Sequence, residues 1–128
     1  MKAPTLTLAL ALALCGCNRG EPVPSPVVQP VEEDVATVPE RFRGDWAADA
    51  DACTTPGHVS RLHIGSDRIR FHESEGPIVS MDERGDALTL VARLTGEGET
   101  RDASYAFTLS GDGNTLSDAN GFTRQRCD

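Results

Sequence analysis

Apolar residues recur at every second position over much of the chain after residue 57, which is the pattern of half-buried β-strands. Polar or charged residues occupy the alternate positions of these runs, so successive side chains face opposite sides of a sheet. The clearest runs place apolar residues at Leu62 and Ile64, Ile69 and Phe71, Val79 and Met81, Leu88, Leu90, Ala92 and Leu94, and Tyr105, Phe107 and Leu109. This spacing predicts a succession of short strands.

Glycine-containing turn sequences separate these runs and predict tight connections between consecutive strands. They are Gly65-Ser66-Asp67, Glu75-Gly76-Pro77, Arg84-Gly85-Asp86, Gly96-Glu97-Gly98 and Gly111-Asp112-Gly113-Asn114. A helical apolar face is missing after residue 57, and only the alanine-rich segment Ala47–Cys53 is expected to form a short helical turn. The sequence therefore predicts an all-β domain, a small antiparallel meander of about seven or eight strands.

A meander of this kind either stays open as a sandwich or closes on itself as a barrel. Closure removes the unpaired edges that would otherwise recruit other chains. Because the predicted strands are short and consecutive, we expect a closed or nearly closed barrel.

The N-terminus has a different pattern. Lys2, the only lysine, precedes the apolar run Leu6–Leu14. A helix that spans a bilayer needs about 20 apolar residues, so this run is too short. A basic start, a short apolar core and small residues behind it are typical of a secretory signal.

The segment Leu14-Cys15-Gly16-Cys17 resembles the lipobox of bacterial lipoproteins. That family has an aliphatic residue three positions before the modified cysteine and a small residue directly before it. Leu14 and Gly16 occupy those positions relative to Cys17, while Cys15 is uncommon at the position between them. The resemblance implies that residues 1–16 are a removed signal peptide and that Cys17 carries the lipid. An ordinary cleaved signal with two incidental cysteines is the alternative.

The resemblance also implies a location in the cell envelope. In such lipoproteins an aspartate directly after the lipidated cysteine favours retention in the inner membrane. The residue there is Asn18, which favours the outer membrane without showing which of its faces carries the protein. Several acyl chains on one cysteine anchor a protein stably.

Residues 17–40 are rich in proline and have no aromatic residue, and they carry more acids than bases. Proline fixes an extended backbone, so the segment is expected to be a semi-stiff tether between the lipid and a folded domain. A proline-motif ligand is the alternative. The folded β-barrel domain is then expected over residues 41–128.

The lipoprotein resemblance also bears on the other two cysteines. With Cys15 removed and Cys17 lipidated, Cys53 and Cys127 are the remaining pair, and an exported protein meets oxidising conditions. We therefore expect one disulfide between them, with two free thiols as the alternative.

The first predicted strand contains Gly44-Asp45-Trp46, which resembles the Gly-x-Trp signature of lipocalins and related barrels. In that group the tryptophan closes the barrel floor and an arginine from the last strand lies across it. The resemblance implies that Arg124 or Arg126 covers Trp46 through a cation–π contact. An ordinary buried tryptophan is the alternative.

Charge and motifs narrow the classes of function. The formal net charge is −8, from 20 acidic and 12 basic residues, which argues against nucleic acid as a partner because phosphate binding needs a positive field. Gly96-Glu97-Gly98 lacks the third glycine of a phosphate-binding loop, and no Gly-x-Ser-x-Gly elbow occurs. We expect no enzymatic activity, no cofactor and no metal ion.

A cluster of basic residues is the main candidate site. If the strand that ends at Ile64 pairs with the strand that begins at Arg68, their outer face brings together Arg61, His63, Arg68, Arg70 and His72. Like charges opposite each other destabilise a hairpin. The cluster is therefore expected to face an anion, such as a phosphorylated lipid headgroup, an acidic glycan or an acidic protein. The alternative is neutralisation by nearby acids, which are Glu73, Glu75, Asp82 and Glu83.

Together these features predict a membrane-anchored envelope lipoprotein with a non-enzymatic β domain that binds a protein, glycan or lipid partner. A lipocalin-like carrier of a small apolar molecule and a lysozyme-inhibitor-like envelope protein are the alternatives. A carrier is less favoured because a short barrel is filled by its own side chains. The expected filling residues are Phe71, Met81, Leu90, Tyr105 and Phe107.

Overall fold

The computed structural model describes Gly20 and residues 37–128. The expected signal peptide over residues 1–16, the lipidated Cys17 and the tether up to residue 36 lie outside the described residues. The described elements are a 3₁₀ turn at Glu40–Phe42, strand β1 Gly44–Ala47, helix α1 Ala50–Thr54, and strands β2 Leu62–Ile64, β3 Arg68–Arg70, β4 Glu75–Arg84, β5 Ala87–Gly96, β6 Glu99–Leu109, β7 Thr115–Asp118 and β8 Thr123–Arg126.

The strands form a closed barrel in which each pairs with its neighbours in sequence. All pairs are antiparallel, and β8 closes the barrel against β1 with Arg126 opposite Trp46. The predicted all-β antiparallel meander with barrel closure is thus confirmed. The expected helical turn is also present as α1, where the Asp49 side chain caps the helix by accepting a 2.8 Å hydrogen bond from the Ala52 amide.

Strand β4 departs from the simple alternation that the sequence predicted. Ile78 lies opposite Ala92 and Ser80 lies opposite Val91, so a bulge places Val79 between paired positions. The bulge turns Val79 outward, with 45% of its surface exposed, while Ile78 points into the core. Met81 returns to the inner side and packs against the core. A bulge shifts the period of two by one residue, and the expected pairing of Val79 with Met81 on one face was wrong for that reason.

The predicted turn at Glu75-Gly76-Pro77 is also wrong, because these residues begin β4. The turn lies earlier, where the Phe71 amide donates a 2.7 Å hydrogen bond to the Ser74 carbonyl. Gly76 instead permits a close approach of two strands, since a Cβ atom there would lie 1.8 Å from the Arg93 carbonyl oxygen.

The barrel interior is filled by side chains. Trp46, Phe42 and Phe107 are the largest of the buried residues, and Phe71, Met81 and Tyr105 pack against the core from partly buried positions. The expectation that Leu90 and Phe107 help to fill the barrel is confirmed by their burial.

The packed domain begins before residue 41. Val38 is fully buried in the core, and its amide donates a 2.8 Å hydrogen bond to the Ser66 carbonyl. The last residues of the segment assigned to the tether are therefore part of the barrel.

Antiparallel strands in sequence order place alternate connections at opposite ends of the barrel. The end closed by the 3₁₀ turn and the β2–β3, β4–β5 and β6–β7 connections is called the floor. The opposite end is called the mouth, and it carries α1, the loop to β2, and the β3–β4, β5–β6 and β7–β8 connections.

One disulfide joins Cys53 on α1 to Cys127 directly after β8, with Cα atoms 5.5 Å apart and a sequence separation of 74. This confirms the expected pairing. The bond holds the first connection of the barrel against its last strand.

Within residues 37–128 the structure contains no helix with the length and apolarity needed to cross a membrane.

Candidate functional site

The floor is closed by Trp46 and Arg126. The Arg126 guanidinium carbon lies 4.2 Å from the centre of the Trp46 ring, in cation–π geometry. Its nitrogens donate hydrogen bonds of 2.6 to 3.1 Å to the carbonyls of Arg41, Arg43 and Gly113. Four segments of the floor therefore meet at one side chain.

Gly44 makes room for this arrangement. Its φ of +120° is one that side-chain-bearing residues rarely adopt, and a Cβ atom would lie 3.2 Å from Arg126 Nη1. The Trp46 indole N–H donates a 3.1 Å hydrogen bond to the Phe42 carbonyl. The glycine and the tryptophan of the Gly-x-Trp sequence therefore both help to close the floor.

Arg124 has a different role from Arg126. Its guanidinium lies 4.6 Å from the centre of the Phe122 ring, and its Nε donates to the Ser60 carbonyl at 2.9 Å. Burial lowers the pKa of Arg124, and the nearby carboxylate of Asp118 partly opposes that shift. Of the two arginines that the sequence offered to cover Trp46, Arg126 is the one that does so.

The basic cluster lines a cleft of about 330 Å³ on the outer wall of the barrel. One side of the cleft is the loop between α1 and β2, and the other is the outer face of β2 and β3. The loop comes close to the far side, since a Cβ atom built on Gly57 would lie 3.9 Å from His72 Cε1. Its lining residues are Asp45, Pro56, Gly57, His58, Arg61, Leu62, His63, Arg70, Phe71 and His72.

The structure brings four of the five predicted residues together. Arg61, His63, Arg70 and His72 line the cleft, with His63 directly opposite Arg70 in the β2–β3 pairing. Arg68 is exposed on the same strand as Arg70 but lies opposite Pro77 and is not part of the lining.

Acids flank the cluster, and two of them contact its histidines. His63 Nδ1 lies 3.0 Å from Asp45 Oδ1, which fixes the ring, and His72 Nε2 lies 3.8 Å from Glu73 Oε1. Glu75 is opposite Arg70 in the β3–β4 pairing. The neighbouring strands β1 to β4 thus place Asp45, His63, Arg70 and Glu75 side by side, in that order, on the outer wall.

Four of the ten arginines in residues 41–128 have a carboxylate of the described residues within 4.0 Å, and the arginines of the cluster are among the six that do not. Arg41 pairs with Glu83, Arg84 with Asp82, Arg93 with Asp102 and Arg124 with Asp118. Within the described part of the chain, Arg61, Arg68 and Arg70 have no carboxylate within 4.0 Å. Two of the four acids offered as their alternative partners, Asp82 and Glu83, are paired with other arginines.

His58 joins the site and was not singled out by the sequence. Its Nδ1 accepts a 3.2 Å hydrogen bond from the Ser60 amide and lies 2.8 Å from the Ser60 hydroxyl. Because Nδ1 accepts this bond, Nε2–H is the one donor of the neutral ring. His58 lies in a loop, where apolar and polar residues do not alternate, so the sequence pattern could not place it beside the cluster. The adjacent Pro56-Gly57 pair indicated only that the chain turns here.

The side chains that line the cleft supply hydrogen-bond donors. Two guanidinium groups without a carboxylate partner supply planar forks of N–H donors that match carboxylate or phosphate oxygens. Among residues 37–128, no three histidine, cysteine, aspartate or glutamate side chains are grouped so that they hold a metal ion. The lining therefore offers mainly guanidinium and imidazole groups, and Asp45 supplies its one carboxylate.

Comparisons of the chain with protein-family models, with curated proteins and with solved structures found no significant match. The function is therefore argued from the residues of this chain.

Proposed function

We propose that this chain is an envelope lipoprotein whose barrel binds an acidic ligand or partner in the cleft between the α1–β2 loop and the β2–β3 hairpin. The lipid on Cys17 anchors it to the outer membrane, and the proline-rich tether carries the barrel away from the membrane surface. The domain binds and does not catalyse.

The observation that carries this proposal is the pair Arg61 and Arg70. Both line the cleft, and neither has a carboxylate partner within 4.0 Å among the described residues. The barrel domain over residues 41–128 has ten arginines and fifteen acids, so acids to pair with are abundant. Two unpaired arginines in a concave site of an acidic domain are an arrangement suited to an external anion.

The packing of the barrel supports a partner that binds outside it. Trp46, Phe42 and Leu116 are fully buried inside, and Arg126 closes the floor beneath Trp46. An apolar cargo in the interior would have to displace these side chains, whereas the outer cleft is open to a ligand. We therefore favour the binding of an acidic partner over the carriage of an apolar molecule.

The strength of such a contact is modest and depends on salt. A hydrogen bond to a charged group contributes about 1.5–3 kcal/mol when it is sheltered from water, and solvent screening reduces this at an exposed arginine. Two arginines on one anion are thus expected to change its affinity by roughly tenfold each. A single anion is therefore expected to bind weakly, with a dissociation constant in the millimolar range. A glycan or protein with several acidic groups is expected to bind more tightly.

Native mass spectrometry of the full chain, extracted from bacterial envelopes in mild detergent, tests the proposal. We expect the mass of a chain that begins at Cys17, carries acyl groups and lacks two hydrogens because of the Cys53–Cys127 bond. With glucuronate added at millimolar concentration, we also expect an adduct that disappears in the Arg61→Ser/Arg70→Ser double variant. A chain that retains residues 1–16, or an adduct that both proteins retain equally, contradicts the proposal.

A further inference from the structure

Strand β6 is paired along its whole length on one side only. It pairs with β5 from Glu99 to Thr108, whereas β7 covers only Phe107, Thr108 and Leu109. Within the residues that the structure describes, no strand lies beside the other edge of β6 from Glu99 to Ala106. The barrel is closed, but its longest strand keeps a free edge near the mouth.

The direction of each peptide group along this edge follows from two hydrogen bonds. The Leu109 amide donates to the Asp86 carbonyl at 2.8 Å, on the β5 side, and the Ser110 amide donates to the Thr115 carbonyl at 2.8 Å, on the β7 side. Peptide groups in an antiparallel strand alternate in direction. The backbone N–H and C=O groups of the odd-numbered residues of β6 therefore bond to β5. The backbone groups of the even-numbered residues point away from β5, and these residues are called the outward set: Thr100, Asp102, Ser104 and Ala106.

A recess of about 220 Å³ lies beside this edge. Phe71, Tyr105 and Phe107 form its aromatic part, with ring centres 4.7 Å apart for the first pair and 6.1 Å for the second. Phe71 and Tyr105 remain partly exposed, unlike the fully packed core residues. Ser104 and Ala106, which belong to the outward set, line the same recess, and Asp118, Ala119, Asn120 and Arg124 complete its lining.

We propose that the free edge of β6 accepts an extended polypeptide segment as an added strand, with one apolar side chain of that segment in the aromatic recess. Main-chain hydrogen bonds to Asp102, Ser104 and Ala106 provide the attachment, and the recess selects the side chain. This is the general logic of strand addition, in which backbone pairing gives affinity and pockets give specificity.

The occupant is a segment of another protein and not a second copy of this chain. Pairing between two β6 edges would bring mostly charged or small residues to the recess, namely Glu99, Arg101, Asp102 and Ala103. The one large apolar residue of that segment, Tyr105, is already packed against the core of its own barrel. Charged side chains along an edge also discourage self-association.

Strand addition at β6 does not depend on the basic cleft. The recess and the cleft share only Phe71 among their lining residues, and the edge acts through backbone groups. Loss of anion binding in the Arg61→Ser/Arg70→Ser variant is accordingly expected to leave strand addition intact.

Amide hydrogen exchange of the ¹⁵N-labelled full chain in detergent tests the inference directly. In the free protein, the amides of Asp102, Ser104 and Ala106 should exchange much faster than those of Ala103 and Tyr105, which bond to β5. Equal protection of both sets would overturn the inference, because the edge would then not be free. Sedimentation at the same concentration should give a monomer, and a dimer with protected even-numbered amides would also overturn it.

Binding is then measured with peptides of the pattern Thr-Val-Thr-Xaa-Thr-Val-Thr, where Xaa is Val, Leu, Phe or Asp. Peptides with an apolar Xaa should slow exchange at Asp102, Ser104 and Ala106 by at least about tenfold at about 1 mM, and the Asp peptide should have a much smaller effect. If no apolar peptide adds protection at that concentration, or if the Asp peptide acts equally, the inference is wrong.

A matched pair of variants at Ser104 separates strand addition from side-chain effects. Ser104→Pro removes an outward N–H and no bond to β5, whereas Ser104→Ala keeps the N–H. Peptide binding should be lost in Ser104→Pro and retained in Ser104→Ala. An N-methylated Phe peptide, which cannot donate to the edge, gives the same comparison on the native protein and should not bind; binding equal to that of the parent peptide contradicts strand addition.

Discussion

At the scale of single residues, Arg126 does most to join distant parts of the chain. It packs on Trp46 and bonds to carbonyls from the 3₁₀ turn region and from the β6–β7 connection. A lysine has neither the planar fork nor the same number of donors, so it cannot replace these contacts. The identity of the residue at this position follows from geometry as well as from charge.

We predict that Arg126→Ala lowers the free energy of unfolding by about 2–4 kcal/mol, and that Arg126→Lys recovers less than half of the loss. Urea unfolding followed by tryptophan fluorescence measures this cleanly, because Trp46 is the only tryptophan. Arg68→Ala is the control, since its side chain is exposed. Equal stability of the Arg126 and Arg68 variants would show that the contacts over Trp46 do not stabilise the barrel.

Tyr105 provides a second residue-scale prediction. Burial raises its pKa above the ordinary value of 10.0, and the positive charge of Arg101 partly opposes the shift. The folded protein therefore holds this proton to higher pH than the unfolded chain does. The stabilisation is complete below pH 10 and is lost as pH rises through the raised pKa.

The near-ultraviolet absorbance of tyrosinate follows this ionisation, and Tyr105 is the only tyrosine. We expect a midpoint above 10.0 in the folded protein, and a still higher midpoint in Arg101→Gln. A titration midpoint at or below that of the unfolded chain would mean that the Tyr105 ring is not sheltered in the aromatic recess.

At the scale of elements, the period of two and the turn sequences were enough to predict an antiparallel meander. They missed two features of β4, the bulge at Val79 and the close strand approach at Gly76. Both depend on the register between β4 and β5, which a pattern along one strand does not contain. The same limit applies to the free edge of β6, which exists because β7 is short.

The candidate site was partly predictable for the same reason. Pairing β2 with β3 through a short turn places His63 beside Arg70, so the hairpin alone groups most of the cluster. His58 entered the site only because the α1–β2 loop folds back toward His72, which is a tertiary contact. The absence of carboxylate partners within 4.0 Å of Arg61 and Arg70, among the described residues, likewise required coordinates.

The disulfide gives the element-scale prediction. It closes a loop with a sequence separation of 74, for which chain entropy predicts a stabilisation of roughly 4 kcal/mol. The Cys53→Ser/Cys127→Ser variant should therefore unfold with a free energy lower by about 2–4 kcal/mol in urea. The native protein in a reducing agent should behave like the variant, and a variant as stable as the oxidised protein would contradict a stabilising role.

At the scale of the whole molecule, the described residues form a small closed barrel with two distinct surfaces. The outer cleft offers unpaired arginines on an acidic domain, and the mouth offers a strand edge beside an aromatic recess. The two surfaces share only Phe71 among their lining residues.

Isothermal titration of the full chain in detergent measures whether Arg61 and Arg70 hold an acidic ligand. The probes are glucuronate for an acidic glycan, glycerol phosphate for a lipid headgroup and an aspartate-rich peptide for an acidic protein. We predict that at least one probe binds, that Arg61→Ser/Arg70→Ser weakens its binding by at least about tenfold, and that Arg68→Ser on the same strand as Arg70 changes it less than about twofold. Equal affinity in all three proteins, or no binding of any probe at about 10 mM, would contradict it.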